Sequence, residues 1–354
     1  MNTILSNNCQ LFFNEKGLNY LIEILIPSNY SKIIVLVDEN TNNYCLPNFL
    51  ARLPTEIEIE IIEIEAGEEM KNVATCLESW QTLIDLGADR KSIILNLGGG
   101  VITDLGGFVA CTFKRGIDFI HIPTTLLAMV DAAIGGKNGV DLGQLKNQIG
   151  VIKEPKAVVI DTIFLTTLPP REMRSGLAEM LKHGLIYDKN YWDEIKNVSN
   201  LNTNDLDRLI YKSVQIKNKI VSQDLTEKGI RKSLNFGHTL GRAIESYFLE
   251  NENKPTLLHG EAIAIGLILE SYLSLELHLI TKEEYAEIKY YISDIFEPVA
   301  FTSEDVEKII SLLIFDKKNE FGKNQFALLN GIGGISLNQN VSNSLIYKAF
   351  EDYN

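Results

Sequence analysis

The sequence predicts an α/β protein, with a doubly wound parallel sheet in its N-terminal half and an α-helical domain after it. Apolar runs at 32–37, 92–97, 119–122 and 158–160 predict buried strands, and helical patterns lie between them. Later residues show helical patterns only, at 170–187, 205–223, 234–249, 258–279, 282–293 and 303–315. We therefore expect a boundary near residue 165, with domains at 1–165 and 166–354.

Two further elements follow from local patterns. Glutamate and isoleucine alternate from Glu56, which is typical of a strand with one exposed face. The alternation slips at Ile61 and Ile62 and resumes to Glu65, so we expect a bulge or a strand end there. Residues 78–86 are expected to form a helix.

Composition limits the possible partners. The 354 residues are 45% apolar and 23% charged, an ordinary globular composition. The net charge of −14 argues against nucleic acid or an anionic membrane as partner, yet a local basic cluster can still bind a small anion. The four scattered cysteines, the absence of a secretory signal pattern and the lack of a membrane-length apolar run predict a cytoplasmic enzyme.

A glycine-rich turn after the run 92–97 predicts a phosphate or nucleotide site. Gly98, Gly99 and Gly100 precede a predicted helix that contains Asp104, so bare backbone N–H groups can meet a pyrophosphate. The motif is not GxGxxG, and such turns are common, so this signal is only moderately specific. Asp38, at the end of the run 32–37, suits either a ribose hydroxyl or a helix cap.

Cations follow this turn closely. Lys137 comes after two glycines but lacks the Ser or Thr of a P-loop, which excludes that type of ATP site. Lys146 and Asn147 come next, and the set is suited to a second anion. The residues from Gly67 to Lys71, taken alone, are predicted to form a loop that leads into a helix.

Two histidines beside glycines are candidate metal ligands. His238 lies in LNFGHTLG, His259 lies in LLHGEA, and Glu179 could be the third ligand. Two histidines and one carboxylate leave an open position on zinc, as catalytic sites do. His183 is a rival because it shares a helix face with Glu179, and any lone histidine here could be an ordinary packed residue.

Basic and amide residues surround these candidates. Lys217 falls on the apolar stripe of its helix, so it either meets an anion or snorkels to the edge. Lys182 shares a face with Glu179, where a salt bridge is the alternative to a substrate contact. Arg231 and Asn235 lie one turn apart before His238. Lys317 and Lys318, taken alone, fit a solvated surface.

Together the motifs resemble the 3-dehydroquinate synthase family of the sugar phosphate cyclases, over essentially the whole chain. The matching blocks are GGGVITDLGGF, FKRG, PTTLLAMVDAAIGGK, KNQIG, TLPPREMRSGLAEMLKHG, IRKSLNFGHTLG, LLHGEA and DKKN. The resemblance implies a Rossmann-like NAD-binding domain and a metal- and substrate-binding helical domain. It also implies a Zn²⁺ or Co²⁺ site at Glu179, His238 and His259, which decides against His183.

The resemblance assigns the remaining site residues as well. Those implied for NAD are Asp38, Glu68, Lys71, Gly98, Gly99, Gly100, Asp104, Thr124, Thr125, Lys137, Lys146 and Thr167. Those implied for the substrate are Asp131, Lys137, Lys146, Asn147, Lys182, Lys217, Glu227, Arg231, Asn235 and one or both of Lys317 and Lys318. Arg115 would reach the partner subunit's site, which implies a homodimer.

The implied reaction converts 3-deoxy-D-arabino-heptulosonate 7-phosphate to 3-dehydroquinate and phosphate, with NAD regenerated in each cycle. One position departs from the family block GHxxGH, because Arg242 stands where the second histidine is usual. Arginine can bind phosphate but cannot act as a base near neutral pH. The chain is then a working synthase, a cyclase for another sugar phosphate, or a weakened variant. A metal- and NAD-dependent polyol dehydrogenase and a non-catalytic NAD-binding protein are the rival interpretations.

Overall fold

The computed structural model describes residues 1–143, 145–196, 203–251, 253–313 and 325–354. They form two compact units, Met1–Met173 and Arg174–Asn354. The division falls inside helix α6 (Pro170–Tyr187), a little after the boundary expected from the sequence. Within the described ranges, none of the helices is both long and apolar enough to cross a membrane.

The first unit is built on a parallel sheet. Its strands are β1 (Ile4–Ser6), β2 (Cys9–Phe13), β3 (Ile33–Asp38), β4 (Ile59–Ile64), β5 (Ile93–Gly98), β6 (Asp118–Pro123) and, after a separate hairpin, β9 (Ala157–Ile160). Their spatial order is β1-β2-β9-β6-β5-β3-β4, and only β1 and β2 pair antiparallel among the described strands of this sheet. Strands β3 and β5 are almost completely buried, as a sheet covered on both faces requires. The predicted α/β fold with a doubly wound sheet is confirmed.

The strand order places a topological switch point between β3 and β5. The chain runs outward from β3 to β4 in one direction, and from β5 to β6 and β9 in the other. The carboxyl ends of these two neighbouring strands carry Asp38 and Gly98. Ligands of open α/β sheets bind in the crevice beyond the strand ends at such a point.

Strand β4 is more regular than its sequence suggested. It pairs with β3 in one unbroken parallel register from Ile59 to Ile64. The expected bulge or strand end at Ile61 and Ile62 was therefore wrong. The strand lies at the edge of the sheet, where Ile62 is buried and Ile61 is 44% exposed. An edge strand can therefore carry an apolar residue on its exposed face without interrupting its pairing.

Helices α1 (Glu15–Ile24), α2 (Glu39–Tyr44), α3 (Leu46–Ala51), α4 (Val73–Asp85) and α5 (Gly100–Thr112) complete the first unit together with a hairpin. Helix α4 starts earlier than predicted because the Asn72 side chain accepts the Thr75 backbone N–H at 3.0 Å and caps it. The hairpin joins β7 (Lys137–Leu142) to β8 (Leu145–Ile152). Sequence patterns did not predict this hairpin, although it contains three of the predicted site residues, Lys137, Lys146 and Asn147.

The second unit is mainly helical. Its helices, besides α6, are α7 (Lys189–Ile195), α8 (Thr203–Gln223), α9 (His238–Glu250), α10 (His259–Glu276), α11 (Lys282–Ile295), α12 (Ser303–Leu312) and α13 (Asn343–Tyr353). Helix α9 starts later than predicted because Ile230–Asn235 form a 3₁₀ segment and Gly237 adopts a left-handed backbone with φ 78°. All six helices predicted for this domain are present.

The C-terminal end differs from the purely helical expectation. Strands β10 (Gln325–Leu329) and β11 (Ile335–Asn340) form an antiparallel pair, and α13 follows them. The turn between the strands contains Gly331 and Gly333, both with positive φ, which is a hairpin signal that the helical interpretation overlooked. Residues Phe326, Leu328, Ile346 and Phe350 from these elements pack into the same core as α9 and α10.

Candidate functional site

Three helices of the second unit bring Glu179, His238 and His259 together. Glu179 lies in the middle of α6, while His238 and His259 are the first residues of α9 and α10. Glu179 Oε1 lies 3.4 Å from His238 Nε2 and 3.8 Å from His259 Nε2. Ligands bound 2.0–2.2 Å from a tetrahedral zinc are about 3.3–3.6 Å apart. The cluster therefore has nearly the dimensions of a three-ligand metal site.

Both histidines present the nitrogen that a metal needs. His259 Nδ1 donates to Glu245 Oε2 at 3.0 Å, and His238 Nδ1 donates to the Phe236 carbonyl oxygen at 3.2 Å. A carboxylate and a carbonyl oxygen can only accept, so the proton of each neutral ring lies on Nδ1. The lone pair of each Nε2 consequently faces Glu179, as in metal centres whose second ring nitrogen is hydrogen-bonded.

The carboxylate of Glu179 is completely buried. Its Oε2 makes an ion pair with Lys182, which is 1% exposed, so the salt bridge considered for this pair is present. Its Oε1 accepts no hydrogen bond from any part of the chain that the structure describes. A buried anionic oxygen without a hydrogen bond is costly, and a divalent cation would satisfy it. The residues present thus fit a metal ion.

The electrostatic environment of His259 favours positive charge. Burial disfavours the protonated ring, but the carboxylates of Glu245 and Glu179 outweigh that effect and raise the pKa of His259. The guanidinium of Arg242 acts in the opposite direction. The negative potential that favours an imidazolium also favours a bound dication.

Glycines let the ligand-bearing helices approach closely. A Cβ on Gly266 of α10 would lie 2.0 Å from the Gly237 carbonyl oxygen, next to His238. A Cβ on Gly260 would lie 2.0 Å from the carbonyl oxygen of Ser175 in α6. These contacts fix the spacing of the three helices from which the candidate ligands project.

The other histidines have different surroundings. His183 is buried, and its Nδ1 lies 2.7 Å from Ser213 Oγ in α8. His121 is enclosed in β6, where burial lowers its pKa to about 3 and its Nδ1 lies 3.1 Å from Asn96 Nδ2. His278 is exposed, with a left-handed backbone after α10. A nitrogen of His183 lies within 4.8 Å of a Glu179 oxygen, so His183 remains close enough to influence the cluster.

Lys217 lies on the buried face of α8, on the apolar stripe where the sequence placed it. Lys217 is 5% exposed on α8, among the apolar residues Ile210, Val214 and Val221 of the same stripe. Burying an ammonium group this deeply requires an anion nearby. The residue is therefore no ordinary surface lysine.

A tight loop between α8 and α9 holds Glu227, Arg231 and Asn235. Asn235 Nδ2 donates to Glu227 Oε1 at 2.8 Å, and Arg231, only 2% exposed, donates to the Leu225 carbonyl oxygen at 2.7 Å. The backbone N–H groups of Lys228, Gly229 and Arg231 all donate to Asp224. Asp224 thus shapes the loop, a role that its position just after a predicted helix could have suggested.

Arg242 lies one turn after His238 on α9 and is half-buried. Within the described part of the chain it makes no hydrogen bond or ion pair, although its charge reaches His259. A guanidinium that is partly desolvated and unneutralised is suited to an anionic ligand.

In the first unit, the predicted nucleotide residues gather at the strand ends. Gly99 caps α5, a Cβ on it would lie 3.1 Å from Thr125 Cγ2, and the Thr124 backbone N–H donates to the Gly98 carbonyl oxygen at 3.0 Å. Gly100 is the first residue of α5. The N-terminus of α5 therefore points out of the switch point, where an anion would be stabilised.

Asp38 acts as a helix cap in this structure. Its Oδ1 accepts the Thr41 backbone N–H at 2.8 Å and closes a capping box at the start of α2.

Burial raises the pKa of the nearby Cys45 thiol to about 11, an effect opposed by hydrogen bonds with Thr167 and Thr124. Asp38, Thr124 and Thr167 thus lie close to one buried thiol at the carboxyl ends of the strands.

A network of charged side chains lies beside these strand ends. Lys71 Nζ is 3.0 Å from Asp104 and 3.6 Å from Glu68, and Lys146 Nζ is 3.0 Å from Glu68. Burial disfavours the ammonium of Lys71, but Asp104, Glu68 and Asp141 raise its pKa well above the usual range. Four predicted cofactor residues are therefore brought together.

Asp141 was not singled out in the sequence, yet it organises the hairpin end. It accepts the Asn147 backbone N–H at 2.6 Å and lies 3.3 Å from Lys146 Nζ. Asn147 has a left-handed backbone, φ 53°, which this hydrogen bond supports. No sequence pattern connected Asp141 to these residues.

Three further predicted residues lie on other elements of the first unit. Asp131 is half-buried in a π-helical turn, Ala128–Ala132, and Lys137 is exposed at the start of β7. Arg115 is exposed next to Lys114, and both have positive φ. Lys317 and Lys318 lie outside the described residues.

Comparisons with known proteins show the family of the chain. The chain matches the family models "3-dehydroquinate synthase N-terminal" at residues 61–175 and "3-dehydroquinate synthase C-terminal" at residues 176–319. A 3-dehydroquinate synthase of Parabacteroides distasonis is 40% identical over 336 residues, which is 94% of each chain.

Two solved structures with the same fold are also of synthases. A 2-epi-5-epi-valiolone synthase of Streptomyces hygroscopicus subsp. jinggangensis, with NAD+ and Zn²⁺ bound, is 26% identical, with a TM-score of 0.86 over 100% of this chain and 98% of that one. A 2-deoxy-scyllo-inosose synthase complexed with carbaglucose-6-phosphate, NAD+ and Co²⁺ is 26% identical, with a TM-score of 0.84 over 99% of each chain. The chain belongs to the 3-dehydroquinate synthase family.

Proposed function

We propose that this chain is a 3-dehydroquinate synthase, which converts 3-deoxy-D-arabino-heptulosonate 7-phosphate to 3-dehydroquinate and phosphate. The observation that carries the proposal is the convergence of Glu179, His238 and His259, with both Nε2 lone pairs facing one buried carboxylate. Family membership over most of the chain supplies the reaction. The cofactors are NAD and a divalent ion, Zn²⁺ or Co²⁺.

NAD is proposed to bind at the switch point of the first unit. The open N-terminus of α5 at Gly99 suits the pyrophosphate, and Asp38 Oδ2, the oxygen that does not cap α2, suits a ribose hydroxyl. The network of Glu68, Lys71, Asp104 and Lys146 holds polar groups fixed beside that edge. Two relatives of the same fold were solved with NAD+ bound, which supports this placement.

The metal ion, when bound, acidifies a substrate hydroxyl and so prepares it for hydride transfer to NAD. Glu179 and the two histidines bind that ion and leave a position for the substrate. Lys217, Arg231 and Asn235 supply the cationic and amide groups that hold the substrate's carboxylate and phosphate. Since Arg231 and Lys217 are buried, their charges act in a low dielectric and orient the anion strongly.

Arg242 is proposed to bind the substrate phosphate. It cannot remove a proton near neutral pH, and we propose that the departing phosphate serves as the base in its own elimination. The proposal of reduced but real activity follows, because one proton acceptor of the family pattern is missing. The second candidate is a cyclase that acts on another sugar phosphate. Arg242 favours it because it replaces the usual histidine, and so does the similarity of the fold to a 2-epi-5-epi-valiolone synthase and a 2-deoxy-scyllo-inosose synthase.

The test is phosphate release from 3-deoxy-D-arabino-heptulosonate 7-phosphate with NAD+ and Zn²⁺ or Co²⁺, compared with other sugar phosphates. We expect release from this substrate, loss of activity in Glu179→Gln, and no loss in Glu250→Gln, which alters an exposed residue of α9. Release only from another sugar phosphate would transfer the proposal to the second candidate. Metal and NAD+ binding without any release would favour a non-catalytic protein.

We also propose a homodimer in which Arg115 completes the partner's site. Arg115 and Lys114 keep φ values of 71° and 47° on the surface, a strain that proteins retain mainly at functional positions. Mixing inactive Arg115→Ala with inactive Glu179→Gln subunits should restore activity, because each mixed dimer contains one intact site. No recovery after verified subunit exchange would refute the shared site. The expected cytoplasmic location stays a prediction.

A further inference from the structure

Glu245 is the carboxylate that contacts a candidate metal ligand from outside the cluster. It lies on α9, two turns after His238 and therefore on the same helix face. Its Oε2 accepts the Nδ1–H of His259 at 3.0 Å, although His259 belongs to α10. One helix thus provides a metal ligand of its own and also a support for the ligand of its neighbour.

We propose that Glu245 is the positioning residue of the metal centre. It fixes His259 in the tautomer whose Nε2 lone pair faces Glu179, and it adds negative charge beside the ion. The inference rests on the proposed function, because it requires that Glu179, His238 and His259 bind a metal. Hydrogen-bonded partners of ligating histidines typically contribute 10–100-fold to metal affinity or activity.

The two histidines differ in how much support they need. His238 has a side chain only 4% exposed, and a backbone carbonyl holds its Nδ1. His259 has a side chain 27% exposed and begins its helix, so less packing restrains its ring. The orientation of His259 therefore depends more on its side-chain partner.

Arg242 increases the importance of Glu245. It lies one turn after His238 and one turn before Glu245 on α9, so its positive charge stands near the candidate metal ligands. In this chain Glu245 would offset a positive charge that the usual family block does not contain.

The experiment compares Glu245→Gln and Glu245→Ala with the unchanged enzyme. Glutamine keeps an oxygen that can accept from Nδ1 but removes the charge, whereas alanine removes both. Glu250→Gln is the matched control, since this residue is exposed on the same helix. Zn²⁺ affinity is measured by competition with a chromophoric chelator, ligand geometry by the visible spectrum of the Co²⁺ form, and folding by thermal melting in EDTA.

We expect about tenfold weaker Zn²⁺ binding in Glu245→Gln and up to about 100-fold in Glu245→Ala, with an altered Co²⁺ spectrum. The melting temperature in EDTA should change much less than the Zn²⁺ affinity, because the contact is a single, partly buried hydrogen bond. The Arg242→His background should reduce the effect of Glu245→Gln, because the opposing charge is then absent. Such non-additivity is expected for residues that act on one group.

If Glu245→Ala keeps the Zn²⁺ affinity and the Co²⁺ spectrum of the unchanged enzyme, the positioning role is wrong, while the proposed function still stands. An equal loss of affinity in Glu250→Gln would also overturn it, since the effect would then be one of general charge. If the unchanged enzyme itself binds no Zn²⁺ or Co²⁺, the metal-dependent function fails and the inference with it. These results separate the failure of the positioning role from the failure of the proposed function.

Discussion

The buried carboxylate of Glu270 accepts the Gly237 backbone N–H at 2.7 Å, directly before the candidate metal ligand His238. Its other oxygen accepts the Leu240 backbone N–H at 3.0 Å, so a residue of α10 caps the first turn of α9. Glu245 of α9 in turn holds His259 at the start of α10. The two helices thus stabilise each other's ligand through buried carboxylates.

We predict that Glu270→Gln lowers both stability and metal affinity. The amide NH₂ of glutamine would face a backbone N–H that now has an acceptor, and an unsatisfied buried donor costs about 1–3 kcal/mol. Urea denaturation in EDTA measures the free energy of unfolding, and chelator competition measures the Zn²⁺ affinity. Glu276→Gln, exposed on the same helix, should leave both values unchanged. A fully stable Glu270→Gln protein would contradict the capping role.

We predict that Gly266→Ala destabilises the second unit. The added Cβ would lie 2.0 Å from the Gly237 carbonyl oxygen, so α9 and α10 must move apart. Overpacking of this kind typically costs about 1–3 kcal/mol. Metal affinity should fall as well, because His238 follows Gly237. Alanine at this position with unchanged stability and affinity would show that the helix contact is adaptable.

We predict that Arg242→His raises turnover. The substitution restores a side chain that can accept a proton near neutral pH, whereas arginine cannot. The kcat for phosphate release should increase, while the KM need not improve because arginine already binds phosphate well. Arg242→Lys, which keeps the charge without gaining a base, is the control. No gain in Arg242→His would remove the idea that Arg242 limits catalysis.

We predict that Lys71→Met destabilises the first unit and weakens NAD binding. The substitution leaves Asp104 without its cation, whereas Glu68 keeps Lys146, and removing one partner of a buried pair costs about 3–5 kcal/mol. Denaturation at neutral pH and NAD titration measure the two effects. Lys16→Met, on the exposed face of α1, serves as the control. A stability equal to that of the control would contradict this role of the network.

We predict that the carboxyl group of Asp305 makes the free energy of unfolding depend on pH. Burial alone would raise the pKa of this carboxyl, but hydrogen bonds from Lys254, Tyr247 and Thr302 hold it well below its usual range. A lowered folded-state pKa contributes stability above the unfolded value, about 3.9, and that contribution is lost as the pH falls below it.

Asp305→Asn should therefore be less stable than the unchanged protein at pH 7, with a difference that shrinks below about pH 4. Denaturation curves at several pH values measure this difference. Glu304→Gln, whose side chain is 75% exposed, is the control. A difference that stays constant across this pH range would contradict the ionic origin of the effect.

Periodicity predicted much of the fold because it reports burial directly. The buried strands and the place of Lys217 on the buried stripe of α8 follow from local apolar patterns. The β10–β11 pair did not follow, because short strands joined through glycines resemble loops in a helical context.

Only part of the candidate site could be predicted from the sequence, because some of its contacts join different elements of the fold. Glycine neighbours and residue types pointed to His238 and His259, but spacing alone left His183 open, and the family resemblance was needed to choose. The partners Glu245, Glu270 and Asp141 act across different elements, so their roles depend on tertiary contacts that no local pattern contains.

The most direct measurement follows phosphate release and 340 nm absorbance together in one reaction with 3-deoxy-D-arabino-heptulosonate 7-phosphate, NAD+ and Zn²⁺. The proposed synthase must return each hydride, so we predict phosphate and 3-dehydroquinate in equal amounts without net NADH. Prior removal of metal by a chelator should abolish the release, and added Zn²⁺ or Co²⁺ should restore it. Steady accumulation of NADH without phosphate would contradict the account and indicate a dehydrogenase.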